Sequence, residues 1–289
     1  MNAKVKLSII ACLSMILITG CKPKTTTRLE GENLITFDTL AVNETYYLLG
    51  NMSNPCCNLE SVFIFPSDYR DKTILDKITR HFIAAYFGEE TESMTPQEAM
   101  DIYVEKYITD YKEFEVDFMK DPDTTGTESW HAPWYSYNEV SSNEIVYNQY
   151  NILSYTVSVE YYTGGAHGGY GVNNYVLFLE NGEALDEDDI FRDDYQDELA
   201  QIIVDVIALD NNVTEPKKLE NMGYFNINEI YPNSNFYVNS EGITYTFNEY
   251  EIAAYFVGSI DVFLSYDKIR HLIREDSPVA PLALLKNEP

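Results

Sequence analysis

Basic residues are scarce in this sequence, and their scarcity argues against a whole class of partners. The 289 residues include 19 Lys and Arg against 47 Asp and Glu, which gives a formal net charge of −28 at pH 7. A surface with this charge repels nucleic-acid phosphates and anionic lipid headgroups alike. We therefore expect no nucleic-acid partner, and we expect contact with a membrane only through a covalent anchor.

Cysteine and histidine are equally sparse, with four of each. A disulfide between the adjacent Cys56 and Cys57 needs an unusual small ring, and we expect a structural role for this pair. The sequence lacks the H-E-x-x-H pair of zinc proteases, the G-x-S-x-G elbow and the nucleotide-binding glycine fingerprints. We expect no metal, cofactor or nucleotide, and we assign no catalytic residue. A carboxylate pair for glycoside hydrolysis stays open, because 47 acids provide a pair at almost any separation.

Hydrophobic residues, by contrast, are plentiful. They make up 45% of the chain, and aromatic residues make up 14%. These fractions are far above those of disordered chains. The length accommodates two modest domains, since compact units contain roughly 100 to 200 residues. The composition therefore predicts a folded protein with a substantial core.

The first 21 residues have the pattern of a bacterial lipoprotein signal. Lys4 and Lys6 precede an apolar stretch from Leu7 to Ile18, which is too short for a membrane-spanning helix of about 20 residues. The lipobox Ile18-Thr19-Gly20-Cys21 follows, which predicts that Cys21 becomes the lipidated N-terminus. The alternative is an ordinary secretory signal that happens to end in cysteine. Cleavage after residue 20 leaves 17 basic residues against 47 acidic ones, a net charge of −30.

The N-terminal half alternates between strand and helix patterns. Turn residues separate two predicted strands, Glu44 to Gly50 and Leu59 to Phe65. Apolar residues at helical spacing predict a helix from Thr73 to Phe87. A second helix begins with a capping box of Thr95 and Glu98 around Pro96. We expect its apolar stripe to face the same core as the first helix; the stripe consists of Ile102, Tyr107, Tyr111 and Phe114.

From Trp130 the hydrophobic period changes to two. Residues 153–161 read as a half-buried antiparallel strand, 175–180 returns along it, and Asn181-Gly182 provides a hairpin turn. Acidic residues then lead into a helix, and their structural interpretation is that they complement its dipole. Calcium binding is the alternative, although Asp186 to Asp189 lacks the EF-hand pattern. The stripe of this helix consists of Tyr195, Leu199, Ile202, Val206 and Leu209. The remaining predicted elements are strands at 236–238, 243–247 and 259–264 and a short helix at 266–274.

These patterns predict an α+β fold of antiparallel sheets backed by helices, in two abutting lobes. The expected organisation is a signal peptide over residues 1–20, a lipid-attached tether over 21–40, an N-terminal lobe over 41–145, a C-terminal lobe over 146–275 and a tail over 276–289.

A loop rich in glycine around one histidine is the densest candidate for a binding site. It reads Tyr161-Tyr162-Thr163-Gly164-Gly165-Ala166-His167-Gly168-Gly169-Tyr170-Gly171. Glycines allow another backbone to approach closely, and His167 titrates near neutral pH. The alternative is a wide strand connection in which His167 makes one fixed hydrogen bond. The candidate ligand-binding residues are Tyr162, Gly164, Gly165, His167, Gly168 and Tyr170.

Three segments carry a resemblance to a known family: Tyr161 to Gly168, Leu185 to Phe191 with the helix after it, and Phe236 to Phe263, which contains Tyr250 to Gly258. They resemble an extracytoplasmic domain of unknown function that forms the outer portion of RsiV-type anti-sigma factors and accompanies some peptidoglycan deacetylases. Residues 44 to about 118 are similar to the smaller domain that usually precedes it. The resemblance implies an α+β fold without established catalytic residues, and in the sensor branch it implies lysozyme binding. The sequence departs from that branch, because a lipobox takes the place of the spanning helix.

Charge and resemblance together predict a lipid-anchored binding module of the cell envelope. Its expected partners are the membrane, through the lipid, and either a cationic lysozyme-like protein or a wall glycan. We expect an outer-membrane location facing the periplasm, because Lys22 follows Cys21 where an aspartate retains many lipoproteins at the inner membrane. Two alternatives stay open: an envelope glycan hydrolase that uses His167 or an acid pair, and a scaffolding lipoprotein.

Overall fold

The computed structural model describes residues 31–121 and 132–284. The signal peptide, the lipobox with Cys21 and the first half of the tether lie outside the described residues, as do the loop at 122–131 and residues 285–289. The described residues from Gly31 onward belong to one compact unit. No helix within them is long and apolar enough to cross a membrane.

Nine strands and seven helices are formed by the described residues. The strands are β1 Thr36–Tyr47, β2 Cys56–Asp68, β3 Tyr137–Gln149, β4 Ile152–Thr163, β5 Gly169–Phe178, β6 Glu183–Ala184, β7 Phe236–Val238, β8 Gly242–Phe247 and β9 Ile260–Ser265. The helices are α1 Lys72–Phe87, α2 Pro96–Lys112, α3 Glu115–Lys120, α4 Glu187–Ile190, α5 Gln196–Asp210, α6 Tyr266–Ile269 and α7 Ala280–Leu284.

Two sheets organise these elements. Strands β1 to β6 form a six-stranded sheet in sequence order, and β7 to β9 form a three-stranded sheet. All pairs are antiparallel except β2 and β3, which run parallel over Cys57–Val62 and Tyr137–Ser142. A parallel pair needs a crossover, and helices α1 to α3 provide it. The predicted α+β class is confirmed, with this one parallel pair inside the larger sheet.

Helix α1 packs against one face of the six-stranded sheet and forms the first lobe with it. The Asp71 carboxylate caps it by accepting from the backbone N–H groups of Thr73 and Ile74. Ile78 and Phe82 follow at helical spacing and are fully buried. The helix ends before Gly88, whose φ of 108° lies in the left-handed region. The sequence prediction for this helix is confirmed to within a residue.

Helix α2 begins with the predicted capping box but turns a different face to the core. Thr95 and Glu98 exchange their hydrogen bonds as expected. The predicted stripe is wrong at Ile102, which is 43% exposed, whereas the adjacent turn buries Ala99 and Met100. The other three stripe residues pack into a separate small cluster around Leu48 and Cys57 rather than against the α1 core; they are Tyr107, Tyr111 and Phe114.

The three-stranded sheet and α5 form the second lobe on the other face of the six-stranded sheet. Ser154 is fully buried there, and its hydroxyl donates to the carbonyl of Val238 at 2.7 Å. The prediction of a half-buried β4 is therefore wrong for its first half, because both faces are covered. All six residues of β8 are buried for the same reason. The two lobes share one continuous sheet. Strand β3 extends on both sides of residue 145, where the sequence predicted the N-terminal lobe to end.

Helix α5 contributes much of the second core, with its buried stripe rotated from the predicted one. Leu209 is 65% exposed and Ile202 is only half-buried. Ala200, Ile203, Val204 and Ile207 are buried instead. The expected stripe was wrong at these positions because α5 is covered on a broader face than one spaced row of residues describes.

The acidic segment before α5 caps a short helix. Asp186 and Asp189 form a capping box at α4, and the buried Glu187 accepts from the Tyr195 hydroxyl at 2.8 Å and from the backbone N–H of Ser234 at 2.9 Å. Each of these acids therefore has a hydrogen-bonding role in the fold. In the part of the chain that the structure describes, no group of three or more His, Cys, Asp and Glu side chains is placed to hold a metal ion.

Candidate functional site

The glycine loop joins β4 to β5 in a tight connection that only glycine allows. Gly164 has a φ of 81°, and a Cβ atom there would lie 2.5 Å from the backbone oxygen of Trp134. A Cβ atom at Gly168 would lie 2.5 Å from the backbone oxygen of Tyr161. Both contacts are far too short for real Cβ atoms. The glycines therefore serve close backbone packing at the end of the β4–β5 hairpin.

His167 is exposed at the tip of this loop and is held in place from two sides. Its Nδ1 atom donates to the carbonyl of Gly168 at 2.8 Å. Its ring stacks on Tyr255, with centroids 4.0 Å apart and planes 25° from parallel. The Tyr255 hydroxyl donates to the same Gly168 carbonyl at 3.2 Å. Within residues 31–121 and 132–284, His167 makes no hydrogen bond or ion pair with a carboxylate.

The outer edge of β5 fixes the segment that carries Tyr255. The Asn248 side chain accepts from the N–H of Val172 at 2.7 Å and donates to its carbonyl at 2.9 Å. Asn235 accepts from the N–H of Asn174 at 2.8 Å and also donates to Val172. These two side-chain amides thus satisfy backbone groups that a neighbouring strand would otherwise pair. The chain after Asn248 is thereby held beside the glycine loop.

Aromatic rings project from this arrangement and form a surface that we call the aromatic face. Tyr250 stacks on Tyr255, with the two ring centroids 5.6 Å apart. Tyr250 is 56% exposed, and Phe256, which follows Tyr255, is 77% exposed. The aromatic face consists of His167, Tyr170, Tyr250 and Tyr255, whereas the ring of Phe256 lies over Gly223.

Carboxylates accompany these rings, and the surrounding sequence contains no basic residue. Glu249 accepts from the backbone N–H of Tyr170 at 3.3 Å, and the exposed Glu160 pairs with Tyr170 in register across β4 and β5. The two segments that supply the aromatic face, residues 133–191 and 219–267, include no Lys or Arg. The surface therefore offers ring planes and negative charge without competing cations of its own.

The predicted site residues are partly brought together. Gly164, Gly165, His167 and Gly168 form the loop itself, and the Tyr162 hydroxyl donates to the Gly165 carbonyl at 3.0 Å. Tyr170 lies one residue into β5 and is 43% exposed. Sequence reasoning missed three residues as site members although they lie within the family-like segment after Asn248: Glu249, Tyr250 and Tyr255.

The two cysteines lie away from this face. Cys57 is buried in the cluster around Leu48, and burial raises the pKa of its thiol to about 11. Cys56 is half-buried on the preceding position of β2, and both thiols are unbridged. Adjacent residues of a strand point to opposite faces. Cys57 therefore acts as a core side chain.

Comparison with known proteins identifies the family. Residues 188–267 match the sequence profile of a family described as a protein of unknown function, DUF3298, and residues 59–170 match a family described as deacetylase PdaC. A search of curated proteins gave no match.

Solved structures extend this likeness to nearly the whole chain. A crystal structure of a DUF3298 family member from Bacteroides fragilis is 31% identical, with a TM-score of 0.80, over 88% of this chain and 99% of that chain. A DUF3298 family protein from Pseudomonas aeruginosa has a TM-score of 0.52 over 83% of this chain and 96% of that chain, and its 13% identity shows the fold alone. The molecule is thus a two-lobed α+β protein that carries a domain of unknown function. It belongs to the DUF3298 family.

Proposed function

We propose that this protein is a lipid-anchored binding module of the cell envelope whose aromatic face binds a cationic, lysozyme-like protein. The supporting observation is the aromatic face itself, which combines exposed rings with carboxylates in segments that contain no Lys or Arg. Exposed aromatic residues are enriched at the energetic centres of protein interfaces. Arginine and lysine side chains stack on such rings and pair with nearby carboxylates.

The net charge supports the same proposal at longer range. An acidic protein with a charge of −28 attracts a basic partner by electrostatic steering, which salt weakens because the Debye length falls to about 8 Å at physiological ionic strength. The lipid on Cys21 would keep the module at the envelope, facing the periplasm at the outer membrane. The resemblance to the outer domain of RsiV-type anti-sigma factors points to the same class of partner.

The environment of His167 also fits recognition. Its Nδ1 atom donates to a carbonyl and its ring is packed on Tyr255, which fixes the imidazole as part of the aromatic face. Within the described residues, no carboxylate hydrogen-bonds to His167 to form an acid–base pair. The second matched family is described as a deacetylase, and catalysis through the Nε2 atom of the oriented His167 is the alternative to recognition.

The test is a binding measurement with lysozyme and the chain from Lys22 onward, at low and at moderate salt. We expect retention at low salt that weakens as salt is raised. Tyr250→Ala is expected to weaken binding by at least about tenfold, which corresponds to about 1.4 kcal/mol. Tyr231→Ala is the matched control, because Tyr231 is 47% exposed but lies beside α5. Absence of retention at low salt would remove the proposal.

A wall glycan is the second candidate, because exposed rings also stack on sugar faces. Muropeptides in the same assay separate the two partners. Glycan binding would be insensitive to salt, whereas binding of a cationic protein would weaken further in Glu249→Gln. Glu105→Gln on α2 is the matched acidic control.

A further inference from the structure

A recess lies away from the aromatic face, between the C-terminal half of α1 and the β5–β6 hairpin. It is a cleft of about 470 Å³, which falls within the usual range of about 300 to 1,000 Å³ for small-molecule sites. We call it the α1 cleft. Its charged and aromatic lining residues are Lys77, Arg80, His81, Glu89, Glu92, Tyr175 and Glu183.

The floor of the α1 cleft is a fixed stack of rings. His81 Nδ1 and the Tyr155 hydroxyl are hydrogen-bonded at 2.8 Å. Tyr175 stacks on Tyr155 at 5.0 Å and meets His81 edge-on at 5.4 Å. Phe82 stacks on the other side of Tyr155 at 3.8 Å. Phe82 and Tyr155 are buried in the core beneath α1, and Tyr175 packs against that core. A ligand would therefore meet a preformed surface.

One wall of the cleft carries positive charge that is held in place. Lys77 donates to the carbonyl of Asn181 at 3.0 Å and pairs with Glu183. Arg80 uses its Nε atom to pair with Asp76 at 2.9 Å, which leaves further N–H groups of its guanidinium. Residues 70–80 contain four of the 13 Lys and Arg residues in the described part of the chain. Of these four, Lys77 and Arg80 line the cleft, and Arg80 can approach a carboxylate through its remaining N–H groups.

The rim of the cleft at the turn after α1 carries negative charge. Glu89 and Glu92 lie in this turn, and both are exposed. Within residues 31–121 and 132–284, neither forms an ion pair, although each lines the cleft. The small side chains of Ala84 and Ala85 also line the cleft and leave room for a compact apolar group.

We propose that the α1 cleft binds a short peptide with small side chains and free termini, whose ammonium group pairs with Glu89 and Glu92 and whose carboxylate pairs with Arg80. Carboxylates and a guanidinium in the lining of one recess match a zwitterion. A simple anion would meet the repulsion of the rim, and a simple cation would leave the remaining N–H groups of Arg80 without an anionic partner. The proposal is independent of the aromatic face and of its partner.

The experiment uses calorimetry with the protein and three probes: alanyl-alanine, its N-acetyl derivative and its C-terminal amide. We expect alanyl-alanine to bind and each blocked derivative to bind at least about tenfold more weakly, because each leaves one charge of the cleft unmatched. Failure of alanyl-alanine to bind at millimolar concentration would overturn the proposal. Equal binding of either blocked derivative would overturn it as well.

Two variants assign the termini to their partners. In Arg80→Gln, alanyl-alanine should bind more weakly, and amidation of the peptide should cost no more affinity. In Glu92→Gln, alanyl-alanine should also bind more weakly, and N-acetylation of the peptide should cost no more affinity. Lys106→Gln is the matched control for Arg80, because Lys106 also forms an exposed i,i+4 ion pair on a helix. If Lys106→Gln weakens binding as much as Arg80→Gln, or if the blocked peptides lose the same factor in wild type and variant, the assignment fails.

Discussion

The aromatic face and the α1 cleft lie against opposite faces of the same sheet and offer a ligand different things. Tyr170 and Tyr175 stand an odd number of positions apart on β5, so their side chains point to opposite faces. The aromatic face is open and has only negative charge beside its rings. The α1 cleft is recessed and presents both signs of charge over a buried floor.

This difference shows that a net charge of −28 does not describe the local chemistry of the molecule. The overall charge governs long-range attraction, which is the same for every approaching partner. Short-range selection depends on which side chains share a surface. The two regions should therefore respond differently to the same kind of change.

The largest expected difference concerns the support beneath each region. Phe82→Ala removes a fully buried ring under the α1 cleft and should lower the free energy of unfolding by about 3 to 5 kcal/mol. Phe256→Ala removes a ring that is 77% exposed next to Tyr255 in the chain and should change the free energy of unfolding by less than about 0.5 kcal/mol. Chemical denaturation of both variants measures this. Similar losses would contradict the contrast between a rigid floor and an open face.

The glycine loop offers a matched pair of substitutions. Gly164 and Gly165 both have positive φ, but only Gly164 has a backbone oxygen within reach of an added Cβ atom. We expect Gly165→Ala to cost about 1 kcal/mol through its backbone angle alone. Gly164→Ala should cost about 1 to 3 kcal/mol more through overlap with Trp134. Equal unfolding free energies for the two variants would show that the close approach is unimportant.

Asn248 tests whether the aromatic face depends on the edge of β5. Asn248→Ala leaves the N–H and carbonyl of Val172 without this partner, and we expect a loss of about 1 to 3 kcal/mol. Increased amide exchange should be confined to β5 and the chain after residue 248. Asn173→Ala is the control, since Asn173 is exposed on the same strand. Exchange that rises equally in both variants would argue against this role.

The smallest expected effect is a pH dependence that belongs to the α1 cleft. Burial lowers the pKa of His81 from its ordinary value of 6.5, and Glu92 and Glu183 offset this only in part. The folded state therefore disfavours the charged imidazole relative to the unfolded chain. Above pH 6.5 this has no effect, and as the pH falls below that value the unfolded state takes up the proton first and stability declines.

Thermal unfolding of wild type and His81→Gln is measured between neutral and mildly acidic pH. The difference between the two proteins gives the contribution of His81, because the carboxylates titrate in both. We expect wild type to lose more stability than the variant as the pH falls. Tyr155→Phe removes the hydroxyl partner and serves as a second comparison. Parallel curves for wild type and His81→Gln would rule out a contribution from His81.

Local patterns predicted the elements of this fold well. The capping box at Thr95, the apolar spacing of α1 and the extended pattern of β4 are written in neighbouring residues, and the cap, the helix and the strand are each present. The exposed positions Ile102 and Leu209 were not predictable in this way, because the rotation of a helix about its axis depends on what covers it. The cover comes from distant parts of the chain.

The candidate site likewise has features that local sequence predicts and features that depend on tertiary structure. The glycines around His167 were visible in the sequence, because their density signals a close backbone approach. The stacking of His167 on Tyr255 was not, since the two residues come together only when the chain after β8 docks beside β5. The α1 cleft also depends on tertiary structure, because its wall, floor and rim come from α1, β5 and the turn at Glu89.

The side-chain amides of Asn235 and Asn248 have a consequence beyond the placement of Tyr255. An unpaired strand edge is a template on which a second molecule can add its own strand and begin a growing polymer. The backbone N–H groups of Val172 and Asn174 already donate hydrogen bonds to side chains of the same molecule. At these two positions the border of the sheet is therefore closed to the addition of a further strand.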